Sequence, residues 1–196
     1  MTRIVELTRT TSETDISLIL DLDGSGVAEI DTGVGFLDHM LTAFARHGLF
    51  DLTVKASGDL HIDAHHTTED IGIVLGKALT QALGDKRGIT RFGHAVVPMD
   101  EALVDAALDL SGRAFVVWNV TFERPYLGDL DTQLVEEFFR ALAGNGTFNL
   151  HVNQRAGTNA HHVAEAAFKS VARALRQAVT LDPRAAGVIP STKGAL

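Results

Sequence analysis

A chain of 196 residues with 45% hydrophobic content is long enough to bury a sizeable core, as one domain or as two small halves. Its formal net charge of −8 argues against a nucleic-acid binder that relies on neutralising phosphates, so an anionic ligand would have to meet a local basic cluster. The absence of cysteine excludes disulfides, thiolate zinc sites and cysteine nucleophiles, leaving imidazole and carboxylate as metal ligands. No apolar run is long enough to span a bilayer and Met1 to Glu6 lacks the apolar region of a signal peptide, so a soluble cytoplasmic protein is expected.

Ile4 to Thr10 reads as a strand, and Asp15 to Leu22 alternates Ile16, Leu18, Leu20 and Leu22 with polar neighbours as a half-buried strand does. Glu13, between them, reads first as an ordinary loop carboxylate and second as an acid reaching into a site. After a strand near Val27 to Ile30, Leu41, Phe44 and Ala45 follow Phe36-Leu37-Asp38-His39-Met40 at helical spacing. Gly33-Val34-Gly35 lacks the third glycine of a dinucleotide loop, and a lone helical histidine such as His39 is most often structural. Phe50 to Ser57 gives a strand, Gly58-Asp59 a turn, and Thr67 to Leu83 a helix closed by Gly84.

The second half repeats the pattern. Arg91 to Val97 reads as a strand, Pro98 to Glu101 as a turn with Asp100 and Glu101 as solvated acids, and Ala102 to Leu110 and Ala114 to Val120 as strands. Phe122 to Asp131 is a loop with no counterpart in the first half. Phe138-Phe139, Leu142, Phe148-Asn149-Leu150 and a helix from His161 to Gln177 follow. The tail from Asp182 has no periodicity and reads as a flexible end, although its Ser191-Thr192-Lys193-Gly194 offers hydroxyl, ammonium and backbone donors to a phosphate.

The duplication carries the chemistry. His65-His66 with Glu69 returns as His161-His162 with Glu165, an offset of 161 − 65 = 96. Both copies stand at helix starts, where a histidine and a glutamate four residues apart share a face while adjacent histidines diverge, so two metal ions fit better than one. Phe50-Asp51-Leu52 matches Phe148-Asn149-Leu150 at 148 − 50 = 98, and the same offset aligns His39 with Glu137. The candidate ligands are therefore His39, His65, His66 and Glu69 from one half and Glu137, His161, His162 and Glu165 from the other. Zinc, manganese, iron or cobalt would accept such shells, and six-coordinate Mn²⁺ would keep positions open for substrate. The spacing is not that of a zinc protease, and no serine-hydrolase elbow or Walker loop is present. The fold expected is α+β, an internal duplication of a sheet with two helices packed on one face.

Over nearly the whole chain these residues resemble imidazoleglycerol-phosphate dehydratase of histidine biosynthesis. The markers are Phe36-Leu37-Asp38-His39-Met40, His65 to Asp70, Pro98-Met99-Asp100-Glu101, Asp109-Leu110-Ser111-Gly112-Arg113, His161-His162 with Glu165, and Ser191 to Gly194. The resemblance implies a carbon–oxygen lyase with four-stranded halves like ribosomal protein S5 domain 2, at 1–92 and 93–182, and a tail, 183–196, completing the phosphate site. It also implies two Mn²⁺ per active site and a homo-oligomer of 24 subunits sharing sites, acting on a small phosphorylated imidazole, with no nucleic-acid or membrane partner. By the same resemblance Arg91, Arg113, Ser191 and Lys193 hold the phosphate and Glu13 touches the substrate. Many family members carry histidine where this chain has Glu137, so either a ligand is lost or carboxylate replaces imidazole. The replacement is expected, with Glu136 the substitute if the register slips by one.

The implied reaction must break a bond to a carbon with no adjacent carbonyl. A metal on the substrate imidazole would lower the ring nitrogen's pKa and give a metal-bound imidazolate that helps expel the neighbouring hydroxyl. A carboxylate, with Glu13 first and Glu69 and Glu165 as alternatives, would take the carbon proton. A dinuclear hydrolase of a phosphorylated metabolite, or an assembly stapled by structural metals, would share the same ligand clusters.

Overall fold

The computed structural model describes residues 2–196 of the chain. In the first half the elements are β1 (Ile4–Thr10), β2 (Thr14–Asp21), β3 (Ala28–Asp31), α1 (Gly35–Gly48), β4 (Asp51–Gly58) and α2 (His65–Leu83). The second half contains β5 (Phe92–Met99), β6 (Ala102–Asp109), β7 (Phe115–Asn119), a two-stranded hairpin of β8 (Tyr126–Leu127) and β9 (Leu130–Asp131), α3 (Gln133–Gly146), β10 (Asn149–Ala156) and α4 (Ala160–Val179). The strand orders are β1-β2-β4-β3 and β5-β6-β10-β7. In each sheet the last pair is parallel and the other two are antiparallel. The α+β architecture is thus two four-stranded sheets and four α-helices among the described residues, as a duplicated half-fold requires.

Alternation sets the inner face of each sheet. Ile16, Leu18 and Leu20 of β2 are buried with Leu52 and Val54 of β4, and Val104, Ala106 and Leu108 of β6 with Leu150 and Val152 of β10. The helices lie on these inner faces and pair across the halves, α1 with α4 and α2 with α3, so that one core spans both halves. The α2–α3 crossing depends on two glycines. A Cβ on Gly72 would stand 2.8 Å from the Phe138 carbonyl oxygen, and one on Gly76 only 2.5 Å from that of Leu142. Helix α4 is buried nearly all round, with alanines at 164, 166, 167, 172 and 174 letting neighbours approach and Phe168 stacked among Phe138 and Phe139.

The structure differs from the sequence reading in four places. Helix α2 begins at His65, with Asp63 Oδ1 accepting its amide at 2.7 Å, so both histidines of the pair belong to the first turn. Strand β5 runs on through Pro98 to Met99, which an edge strand tolerates because its outer side needs no ladder hydrogen bond. The stretch expected to be loop folds into the β8–β9 hairpin. The tail is tied down: the Gly88 amide donates to Val188, and the guanidinium groups of Arg87 and Arg91 donate to the carbonyls of Gly187 and Pro190.

One polar network breaks the symmetry between halves. Asp70 of α2 accepts Arg9 Nε at 2.8 Å and the Thr14 hydroxyl at 2.5 Å beneath the first sheet. Their repeat counterparts are Val97 (9 + 88), Ala102 (14 + 88) and Ala166 (70 + 96), all buried and apolar.

Candidate metal centre and anion cavity

Pairing of helices across the halves decides which ligands meet. His39 on α1 and His161 and Glu165 on α4 bring one ligand atom each to within 4.8 Å of one another. Glu165 Oε2 lies 3.4 Å from His39 Nε2 and 3.2 Å from His161 Nε2, while its Oε1 is taken by Lys169 at 2.5 Å. Burial acts to raise the Glu165 pKa, but the hydrogen bond and charge of Lys169, with His39, hold it below the usual carboxylate value. Two imidazole nitrogens and an ionised oxygen converging on one point form a donor set suited to a divalent transition metal. The Phe36 ring stands edge-on to His161 at 5.2 Å and restricts its rotation.

The symmetry-related trio is looser. His65 and Glu69 approach to 3.8 Å, and Glu137 of α3 lines the same cavity of about 520 Å³ as His65. Glu136 is bound to Arg140 one turn away, with Arg140 Nε donating at 2.8 Å, so the register turns Glu137 and not Glu136 towards His65. Lys169 has Ile73 as its counterpart (169 − 96), so no ammonium at that position restrains Glu69.

The second histidine of each pair points elsewhere. Adjacent helical positions diverge around the axis, and the ring centroids stand 5.9 Å apart for His65 and His66 and 6.2 Å for His161 and His162. His66 Nδ1 is 2.9 Å from Asp59 and 3.8 Å from Glu13, while His162 Nδ1 is 2.7 Å from Glu101. These hydrogen bonds push both imidazole pKa values above 6.5 and hold Asp59 and Glu101 low, Glu101 at about 2. With Nδ1 engaged by a carboxylate, each ring offers Nε2 as its ligand atom. Glu101 is therefore not merely a solvated turn acid, and its offset from Glu13, 101 − 13 = 88, was the signal that could have found it. Lys169 was legible as the residue four after Glu165, whereas Asp59 sits in a turn with no periodic signal.

Arg91, Arg113, Ser191 and Lys193 line a separate cavity of about 340 Å³, where the tail closes over the Ser111-Gly112-Arg113 turn. Arg91 is committed there: its Nε and Nη2 grip Asp109 at 2.7 and 3.1 Å and its Nη1 holds Pro190. Among the described residues no ion pair engages Arg113 or Lys193. Buried Lys86 donates to the Leu110 carbonyl behind this turn. Glu13 lies beside His66, away from this cavity.

Fold and site together define an α+β protein of two pseudo-equivalent halves, with an imidazole–carboxylate cluster between them that could hold a metal ion and a separate cavity lined by two arginines and a lysine. A model of the family described as imidazoleglycerol-phosphate dehydratase matches residues 32–175. Proteins of that name from Acidiphilium cryptum and Granulibacter bethesdensis are 70% and 67% identical over 196 residues, covering 100% of both chains in each case. The crystal structure of imidazoleglycerol-phosphate dehydratase from Staphylococcus aureus aligns with a TM-score of 0.83 at 40% identity, over 91% of this chain and 99% of that one. The Pyrococcus furiosus enzyme in complex with (S)-C348 aligns at 0.84 and 40%, over 97% and 100%. The chain belongs to the imidazoleglycerol-phosphate dehydratase family. No described helix is long and apolar enough to cross a membrane.

Proposed function

We propose that the chain is a hydro-lyase that converts imidazoleglycerol phosphate to imidazole-acetol phosphate in histidine biosynthesis, with two Mn²⁺ ions per active site. The observation that carries the reading is the convergence of His39, His161 and Glu165 in a chain matching this family along its length. His65, Glu69 and Glu137 form the second ligand set, and His66 and His162 present Nε2 to ions completed by neighbouring copies. That arrangement suits a cytoplasmic homo-oligomer of 24 subunits with shared sites. The chain reads as halves 1–92 and 93–182, with 183–196 completing the phosphate site.

A bound divalent ion supplies Lewis acidity to the substrate imidazole, easing departure of the hydroxyl next to the ring. Arg113, Lys193 and Ser191 grip the phosphate, and Arg91 fixes the tail that carries two of them. Glu13 accepts the proton from the carbon beyond the leaving hydroxyl, the hydroxide departs as water once it gains a proton, and the enol left behind gains a proton at the ring-side carbon while its hydroxyl proton goes to solvent, giving the ketone. Glu69 and Glu165, as ligands, hold the ions and are the alternatives to Glu13 as proton acceptor.

Incubating metal-loaded protein with imidazoleglycerol phosphate should yield the ketone without inorganic phosphate; phosphate release in its place would overturn the reading. In Glu13→Gln, exchange of the carbon-bound hydrogen with deuterated solvent should fall with turnover, and undiminished exchange would move the proton to Glu69 or Glu165. Arg113→Lys should weaken binding of a phosphorylated inhibitor about tenfold, because lysine keeps the charge but loses the planar fork. Unchanged affinity would count against a bidentate contact by Arg113.

A further inference from the structure

The link from β3 to α1 is three residues long (32–34), whereas its counterpart from β7 to α3 has thirteen (120–132). The added residues build the β8–β9 hairpin, whose tip, Gly128-Asp129, reaches back over the first half. There Asp129 Oδ2 accepts the Gly35 amide at 3.0 Å and Oδ1 the Phe36 amide at 3.3 Å. These are the first two amides of α1, whose N-cap residue Val34 has no side-chain acceptor. The first-turn acid of that helix does not help, because Asp38 Oδ1 is taken by the amide and hydroxyl of Thr32. The tip also abuts Phe36: a Cβ on Gly128 would lie 3.8 Å from the Phe36 Cβ.

Phe36 is the edge partner of His161, and His39 follows it by less than one turn. Asp129 lines the cavity of His65 and Glu137, and its hydrogen bonds grip the helix end from which two contacts of the His39–His161–Glu165 cluster are set. The hairpin runs directly into α3, the helix of Glu137, and Tyr126 lines both the cavity beside His65 and the one beside His161.

We propose that Asp129 is a positioning residue for the ion held by His39, His161 and Glu165, acting through the N-terminus of α1. The proposal rests on the metal reading above. Without this carboxylate the first turn of α1 frays, His39 Nε2 gains freedom relative to Glu165, and the ion loses a preorganised ligand while the cavity and the other ligands remain.

The test is Mn²⁺ binding to the full-length protein in its native assembly, with bound ions counted by electron paramagnetic resonance and thermal stability read on the same samples. Asp129→Ala should weaken the class of site that Glu165→Gln removes by about threefold to tenfold, consistent with a lost cap. Asp129→Asn should restore it only in part, since asparagine has a single carbonyl oxygen and accepts one of the two amides. Asp51→Ala removes an acceptor of three backbone amides, those of Ser25, Gly26 and Val27, near the opposite end of α1. It should lower thermal stability and leave Mn²⁺ affinity unchanged. A wild-type protein that retains no ion overturns the metal reading and this proposal together. Wild-type binding that persists unaltered in Asp129→Ala, or an equal loss in Asp51→Ala, overturns the proposal alone.

Discussion

Chelation is expected to abolish dehydration, lowering turnover at least about a hundredfold, because expulsion of hydroxide then proceeds without Lewis-acid help. The same treatment should shrink the particle in light scattering, since ions bound only by assembled chains stabilise the assembly by mass action. Glu165→Gln should remove one class of bound ion per chain and Glu137→Ala should weaken the other, with Glu136→Ala, whose carboxylate serves Arg140, leaving both intact. Acid should act like chelation. The ligating imidazole is neutral, and the hydrogen bonds to Asp59 and Glu101 raise the pKa of His66 and His162, so protons compete with the ion more strongly as pH falls and metal affinity drops. Full activity in protein shown by elemental analysis to lack transition metals would refute the first expectation. Undiminished Mn²⁺ retention by Glu137→Ala would refute the carboxylate-for-imidazole exchange.

Asp70→Ala is expected to cost about 2–4 kcal/mol, the penalty for leaving a guanidinium without its buried partner, reduced because Arg9 is one-third exposed. For a chain of this size that lowers Tm by about 5–15 °C at fixed protein concentration. The second half shows how the same position is filled without charge. Arg9→Val, Thr14→Ala and Asp70→Ala combined copy Val97, Ala102 and Ala166, and should return stability to within about 1 kcal/mol of the parent. A triple variant less stable than Asp70→Ala alone would show that the apolar solution does not transfer between halves.

These expectations draw unequally on sequence and structure. Alternation in β2 and β6 and the duplicated His-His-x-x-Glu were legible in the chain, because each reports neighbours within one element, where backbone geometry fixes which residues share a face. The repeat offsets likewise placed Glu137 opposite His39 without coordinates. Arg113 came from resemblance, the Ser191 to Gly194 stretch of the tail was legible only as a set of phosphate donors with no place in the fold, and Asp59 and Asp129 were silent, since loops carry no period. What the sequence determined was two α+β halves, each presenting a histidine and a glutamate at the start of its last helix. Only the tertiary structure decided which candidate residues meet, His39 joining His161 and Glu165 across the α1–α4 contact and Glu137 lining the same cavity as His65 beside the α2–α3 contact. That choice depends on close approach at Gly72 and Gly76 and on a hairpin capping a helix of the other half. Such contacts are non-local, and no periodicity along the chain encodes which helix will lie against which.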